Sequence, residues 1–145
     1  MENKKDLNQN LSHYQFSPES QYLDRKSARK KPQELLKHLI AFANADGGQL
    51  VIGIEDEKQD NIITGFKDGK SYPIDDFKKI DREMRETPLD LSFEEIPVIN
   101  HKGEEDFILV ISVELSSNRV IAAPNDDVYL RQGDESVKLS YEQRT

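Results

Sequence analysis

The chain has 145 residues, which is enough for one domain with a sizeable core. It carries 20 basic and 28 acidic side chains, a net charge of −8, and no cysteine. Disulfides and thiolate metal sites are therefore excluded, no apolar run is long enough to cross a membrane, and net charge alone does not favour a nucleic-acid partner. The polar start MENKKDLNQN has no secretory pattern, so a cytoplasmic protein is expected. His13, His38 and His101 lie far apart without ligand spacing and read as ordinary surface or half-buried residues.

Residues 1–17 read as a flexible polar tail without a regular element, in which Tyr14 and Phe16 are the only candidates to clip onto a core. The ordered domain is expected over 18–145. Glu19 and Asp24 follow, five residues apart, and only a bend between them would let the two carboxylates converge. Pro32 suits a first helical turn, and Leu35, Leu39 and Phe42 with Leu36, Ile40 and Ala43 make a broad apolar stripe. A helix over 32–45 is expected, stopped by Gly47 and Gly48. Leu50, Val51, Ile52 and Ile54 form a run suited to a strand covered on both faces, ending at Glu55 and Asp56. Ile62–Phe66 reads as a returning strand. Ile74, Phe77, Ile80 and Met84 predict a second helix over 74–86, with Asp75 and Asp76 at its start and Arg82 and Arg85 near its end.

The second half reads as β structure. A strand from Leu91 to Val98 is pushed towards an edge by Pro97, and Phe107 to Val113 predicts another interior strand. Val120–Ala122 and Val128–Arg131 are shorter candidates. The fold class is α/β (α+β): a mixed sheet of five or six strands carrying two main helices. The chain ends where a new helix could begin, so it reads as the front part of a longer protein.

Charge is unevenly placed. Between Arg25 and His38 the segment is net +5, leaving −13 for the rest. Arg25, Lys26, Arg29, Lys30 and Lys31 are the candidate phosphate-contacting residues, against the alternative of a solvated helix entrance.

Four elements, in order, resemble the Schlafen-type AlbA-like domain. They are Glu19-(x)4-Asp24-Arg25-Lys26, Ala41-Phe42-Ala43-Asn44-(x)2-Gly47-Gly48-(x)4-Gly53-Ile54-Glu55-Asp56, the strand Val110–Val113 leading into Ser116-Ser117-Asn118-Arg119, and Tyr129-Leu130-Arg131-Gln132-Gly133. They span residues 19 to 140. The resemblance implies a nucleic-acid-binding (DNA or RNA) regulatory domain of a bacterial transcriptional regulator. Its first alternative is a divalent-metal-dependent ribonuclease of Schlafen type; its second is a protein-binding oligomerisation domain. For the nuclease, the implied catalytic and metal-binding acids are Glu19, Asp24 and Asp56, with Glu55 the near alternative for the last. Mg²⁺ or Mn²⁺ would be the cofactor, and none is implied otherwise; hard cations suit carboxylate oxygens. Lys26 then either holds the scissile phosphate or neutralises the acids. The chain departs from the family at Asp24, where glutamate is usual, and at Arg25, where an aromatic is usual. Gly47-Gly48 is not followed by Gly-Lys-Ser/Thr, so it is no phosphate loop; with Asn44 it is expected to shape a turn. The family core pairs two such domains, so a homodimer is expected.

Overall fold

The apolar run Gly48–Ile52 does form an interior strand, β2. In the computed structural model, which describes residues 11–84, 88–117, 119–140 and 142–144, it lies between β1 (Leu23–Lys26) and β4 (Glu105–Val113). The nine-residue β3 (Leu91–Ile99) closes the far edge, where Pro97 costs no interior ladder bond. The order is β1-β2-β4-β3, with β1 parallel to β2 and the other pairs antiparallel. The mixed α/β class is as expected, but the six strands among the described residues do not form the single sheet of five or six that was expected. β5 (Tyr129–Gln132) and β6 (Glu135–Lys138) make a separate hairpin that packs on helix α1 (Pro32–Ala43) instead of extending the sheet.

Strand alternation separates two cores. On one face, Leu50, Ile52, Leu109 and Ile111 meet Leu35, Leu39, Ile40 and Phe42 of α1 together with Phe77. On the other, Leu23, Val51, Ile108 and Val110 meet Ile96 and Val98, with Leu11 and Tyr14 packed against them. Residues 11–16 are helical, which corrects the expectation of a tail without a regular element. Tyr14 does dock; Phe16 stays exposed. The first ten residues of the expected tail lie outside the described residues.

The helix α1 ends two residues before the predicted boundary. Asn44 caps it, and the Gly47 N–H donates to the Phe42 carbonyl at 2.8 Å with Gly47 at φ +80°. Gly48 serves packing: a Cβ there would stand 2.5 Å from the Phe42 ring. The second helix is corrected more strongly, since α2 covers only Ile74–Lys78. The chain then continues in turns, with N–H donation from Ile80 to Phe77, Arg82 to Lys79 and Met84 to Asp81. The apolar steps 74, 77, 80 satisfy three-residue turns as well as a helix, and Phe77, Ile80 and Met84 are buried either way. Arg85 lies outside the described residues.

Ile62–Phe66 contributes only an isolated bridge, Ile63 to Ile54, and Val120–Ala122 is not a strand. Among the described residues no helix is long and apolar enough to cross a membrane.

Candidate functional site

Alternation along β1 sets the site. Leu23 and Arg25 face the helical segment 11–16; Asp24 and Lys26 face α1 and the β5–β6 hairpin. Asp24 is 1% exposed, so its charge must be met by protein groups. Arg131 of β5, also buried, provides the main one: its Nη1 donates to Asp24 Oδ2 at 2.7 Å and to Ser136 Oγ at 3.0 Å. Its Nε donates to the Ser20 carbonyl at 3.0 Å and its Nη2 to the Leu23 carbonyl at 3.3 Å. The guanidinium lies 4.7 Å from the centroid of the Phe42 ring. Lys26 Nζ stands 3.4 Å from Asp24 Oδ1, an oxygen without a hydrogen-bond partner among the described residues. Lys26 therefore serves Asp24 as a counter-charge.

His38, on α1, brings its Nδ1 to 2.8 Å from Ser136 Oγ and 3.6 Å from Asp24 Oδ2. Burial holds its pKa down at about 4 despite the pull of Asp24, and Lys26, Lys37 and Arg131 push the same way. At neutral pH His38 is uncharged and Asp24 is balanced by Arg131 and Lys26. Glu19 lies against Asp24, and burial first, then the Asp24 charge, holds its carboxyl above the usual range.

The structure thus brings Glu19 and Asp24 together but leaves Asp56 apart. Asp24 stands opposite Leu50, whereas Asp56 lies six residues beyond Leu50, exposed, at the start of the 3-10 turn Glu57–Gln59. Glu55 is buried, with its N–H on the Ile62 carbonyl. Among the described residues no group of three or more histidine or acidic side chains is placed to share a metal ion. The donor set does not fit Mg²⁺ or Mn²⁺: it offers two carboxylates already facing an arginine and a lysine.

The five candidate phosphate-contacting residues separate. Arg25 is buried, its Nε donating to the Tyr14 carbonyl at 3.0 Å and its Nη2 to the Ser17 carbonyl. It holds residues 11–17 and does not reach the surface. Lys26 is engaged by Asp24. Arg29 pairs with Asp68, whose carboxylate also accepts from Ser71 Oγ at 2.7 Å and from the Lys70 N–H. Lys30 and Lys31 are exposed and make no ion pair among the described residues.

Lys31 opens onto a groove of about 610 Å³ that sequence reasoning missed. The first turns of α1, the turns after α2 and the segment 123–125 wall it. Lys31, Lys37, Lys79 and Arg82 line it, and none has an ion-pair partner among the described residues. Asn44, by contrast, makes no part of it. Its Nδ2 donates to the Ile121 and Tyr129 carbonyls, each at 2.9 Å, and its Oδ1 accepts from the Ile121 N–H at 2.8 Å. The turn itself is shaped by Gly47, as expected, whereas the Asn44 side chain ties the end of α1 to distant segments of the chain.

A sequence-family model described as Schlafen, AlbA_2 matches residues 19–140. Among solved structures, the crystal structure of the DIP2311 protein from Corynebacterium diphtheriae superposes with a TM-score of 0.58 at 18% identity. The match covers 96% of this chain and 32% of that one, so this chain spans about a third of that protein, and the likeness concerns the fold. No curated protein matches.

Proposed function

The chain belongs to the Schlafen AlbA_2 family, and from that premise we propose that it is a nucleic-acid-binding regulatory domain of a bacterial transcriptional regulator, working in the cytoplasm. The observation that supports this most is local. An acidic chain of net charge −8 gathers Lys30, Lys31, Lys37, Lys79 and Arg82 around the entrance of α1, all without ion-pair partners among the described residues. Unpaired surface cations collected against a net negative background are what phosphate binding uses. Arg25, Lys26 and Arg29 are each engaged by other groups of the protein, Arg25 by the Tyr14 and Ser17 carbonyls, Lys26 by Asp24 and Arg29 by Asp68, which leaves Lys30 and Lys31 as the open cations of the five.

The ribonuclease reading asks for a third carboxylate beside Glu19 and Asp24, and Asp56 does not supply it. The test is binding of DNA and RNA oligonucleotides across a salt series. Reversing Lys30 and Lys31 to glutamate should weaken binding and flatten the salt dependence by about 0.7–0.9 for each phosphate no longer neutralised. Unchanged binding would refute the interface, and binding of a protein partner instead would favour the oligomerisation reading.

A further inference from the structure

The groove beside α1 has a lining that a duplex backbone does not match. Its four cations are interleaved with the carboxylates of Glu34, Asp76 and Glu83, and these too lack ion-pair partners among the described residues. A duplex presents regular rows of phosphates, which the carboxylates would repel. Two tyrosines, Tyr72 and Tyr129, also line the groove. Each is half-buried against the core, and neither phenol hydroxyl has a partner among the described residues. Phosphate-binding cations, aromatic rings and open carboxylate acceptors in one cleft match the three parts of a nucleotide whose base is free of its complement. The phosphate meets lysine or arginine, the base face meets a tyrosine, and N–H donors on the pairing edge meet a carboxylate. The volume, about 610 Å³, is that of a small-ligand site.

Resting on the nucleic-acid reading above, we infer that this groove takes an unpaired base of a single-stranded DNA or RNA segment, with preference for guanine, whose pairing edge alone offers two adjacent N–H donors to a carboxylate. The α1 entrance then holds the strand, and the groove selects for its being single.

The experiment is fluorescence anisotropy with labelled oligonucleotides, single-stranded and in duplex, of one sequence and at one salt concentration. Single strands should bind at least about tenfold tighter than duplex, the scale of one stacked base. Lys79→Glu with Arg82→Glu should weaken single-strand binding by about tenfold or more. Asp76→Asn with Glu83→Gln should retain affinity but reduce the discrimination among homopolymers. Tyr72→Leu should lower single-strand affinity alone; should it fail to fold, the surface charge variants still decide. Equal binding of duplex and single strand overturns the inference. So does single-strand binding indifferent to Lys79 and Arg82. If duplex binds as well and Lys30→Glu with Lys31→Glu removes it, the groove inference falls while the proposed function stands. No binding to any oligonucleotide overturns both.

Discussion

Replacing Arg131 by methionine isolates the interaction on which the Asp24 cluster depends. The substitution keeps most of the side-chain volume, so its cost is electrostatic more than steric. It removes four hydrogen bonds, to Ser20 O, Leu23 O, Asp24 Oδ2 and Ser136 Oγ, and the cation over the Phe42 ring. Asp24 is left almost fully buried with Lys26 at 3.4 Å as its remaining cation, and the Lys26 side chain is itself 28% exposed. Removing one partner of a buried pair costs about 3–5 kcal/mol, because the other charge stays buried. For a domain of this size that is a fall in melting temperature of about 10–15 °C. Urea unfolding at pH 7 and a thermal scan measure it. The double variant Asp24→Leu with Arg131→Met removes the stranded charge and should recover at least about 1–2 kcal/mol of that cost. In the single variant the His38 pKa should rise above its present value of about 4, since Arg131 is one of the cations depressing it. A single-variant cost under about 1 kcal/mol, or a double variant no more stable than the single, refutes the reasoning.

His38 also makes a pH prediction. Its folded pKa of about 4 lies below the ordinary 6.5, so between these values the unfolded chain takes up a proton that the folded chain refuses. Its contribution to stability is complete above pH 6.5 and is lost as the pH falls towards 4, at up to about 1.4 kcal/mol per pH unit. His38→Gln should flatten that part of a urea-midpoint profile; an unchanged slope refutes the assignment. Glu19, with a raised pKa, acts in the opposite sense and loses its contribution as pH rises through its folded value. Gly48→Ala drives a methyl into the Phe42 ring and should cost about 1–3 kcal/mol by urea titration; a neutral result refutes the packing role. Mn²⁺ should leave the melting temperature unchanged, and a clear rise would show a bound cation that the described carboxylates do not account for. A two-fold homodimer is expected in solution, and light scattering that reports a monomer at tens of micromolar refutes it.

What the sequence disclosed follows from the range of the forces involved. The strands β2 and β4 were legible as interior because both faces of each are apolar over a continuous run. The edge position of β3 was legible from Pro97. The length of α2 was not, because apolar residues at three-residue steps fit a helix and a chain of turns equally. The partition of six strands into two sheets was hidden for another reason: it depends on pairings between residues far apart, such as Asn44 with Ile121 and Tyr129. The same applies to the site. The pairing of Glu19 with Asp24 was conceivable only as a bend. Arg131 stood within a recognisable motif, but its partner is 107 residues away in sequence. Arg25 carried the most misleading signal, since a basic residue in a basic run reads as surface until the carbonyls of Tyr14 and Ser17 are seen to accept from it.

The four residues of β1 have a consequence for how the sheet can assemble. A short parallel edge strand is ordinarily free to slide, since its backbone bonds re-form one step along. Here, neighbouring side chains of opposite charge are both buried, Asp24 on one face and Arg25 on the other. A slip by one residue would turn every side chain over. A slip in one direction would set Asp24 where Arg25 now stands, against the carbonyl oxygens of Tyr14 and Ser17; a slip in the other would set Arg25 where Asp24 now stands, against Arg131. Either error buries like against like, at a penalty that grows in a dry interior. The Asp24-Arg25 pair therefore acts as a register key. It admits the alignment of Leu23 with Gln49 and rejects its neighbours, so this strand can dock in only one phase.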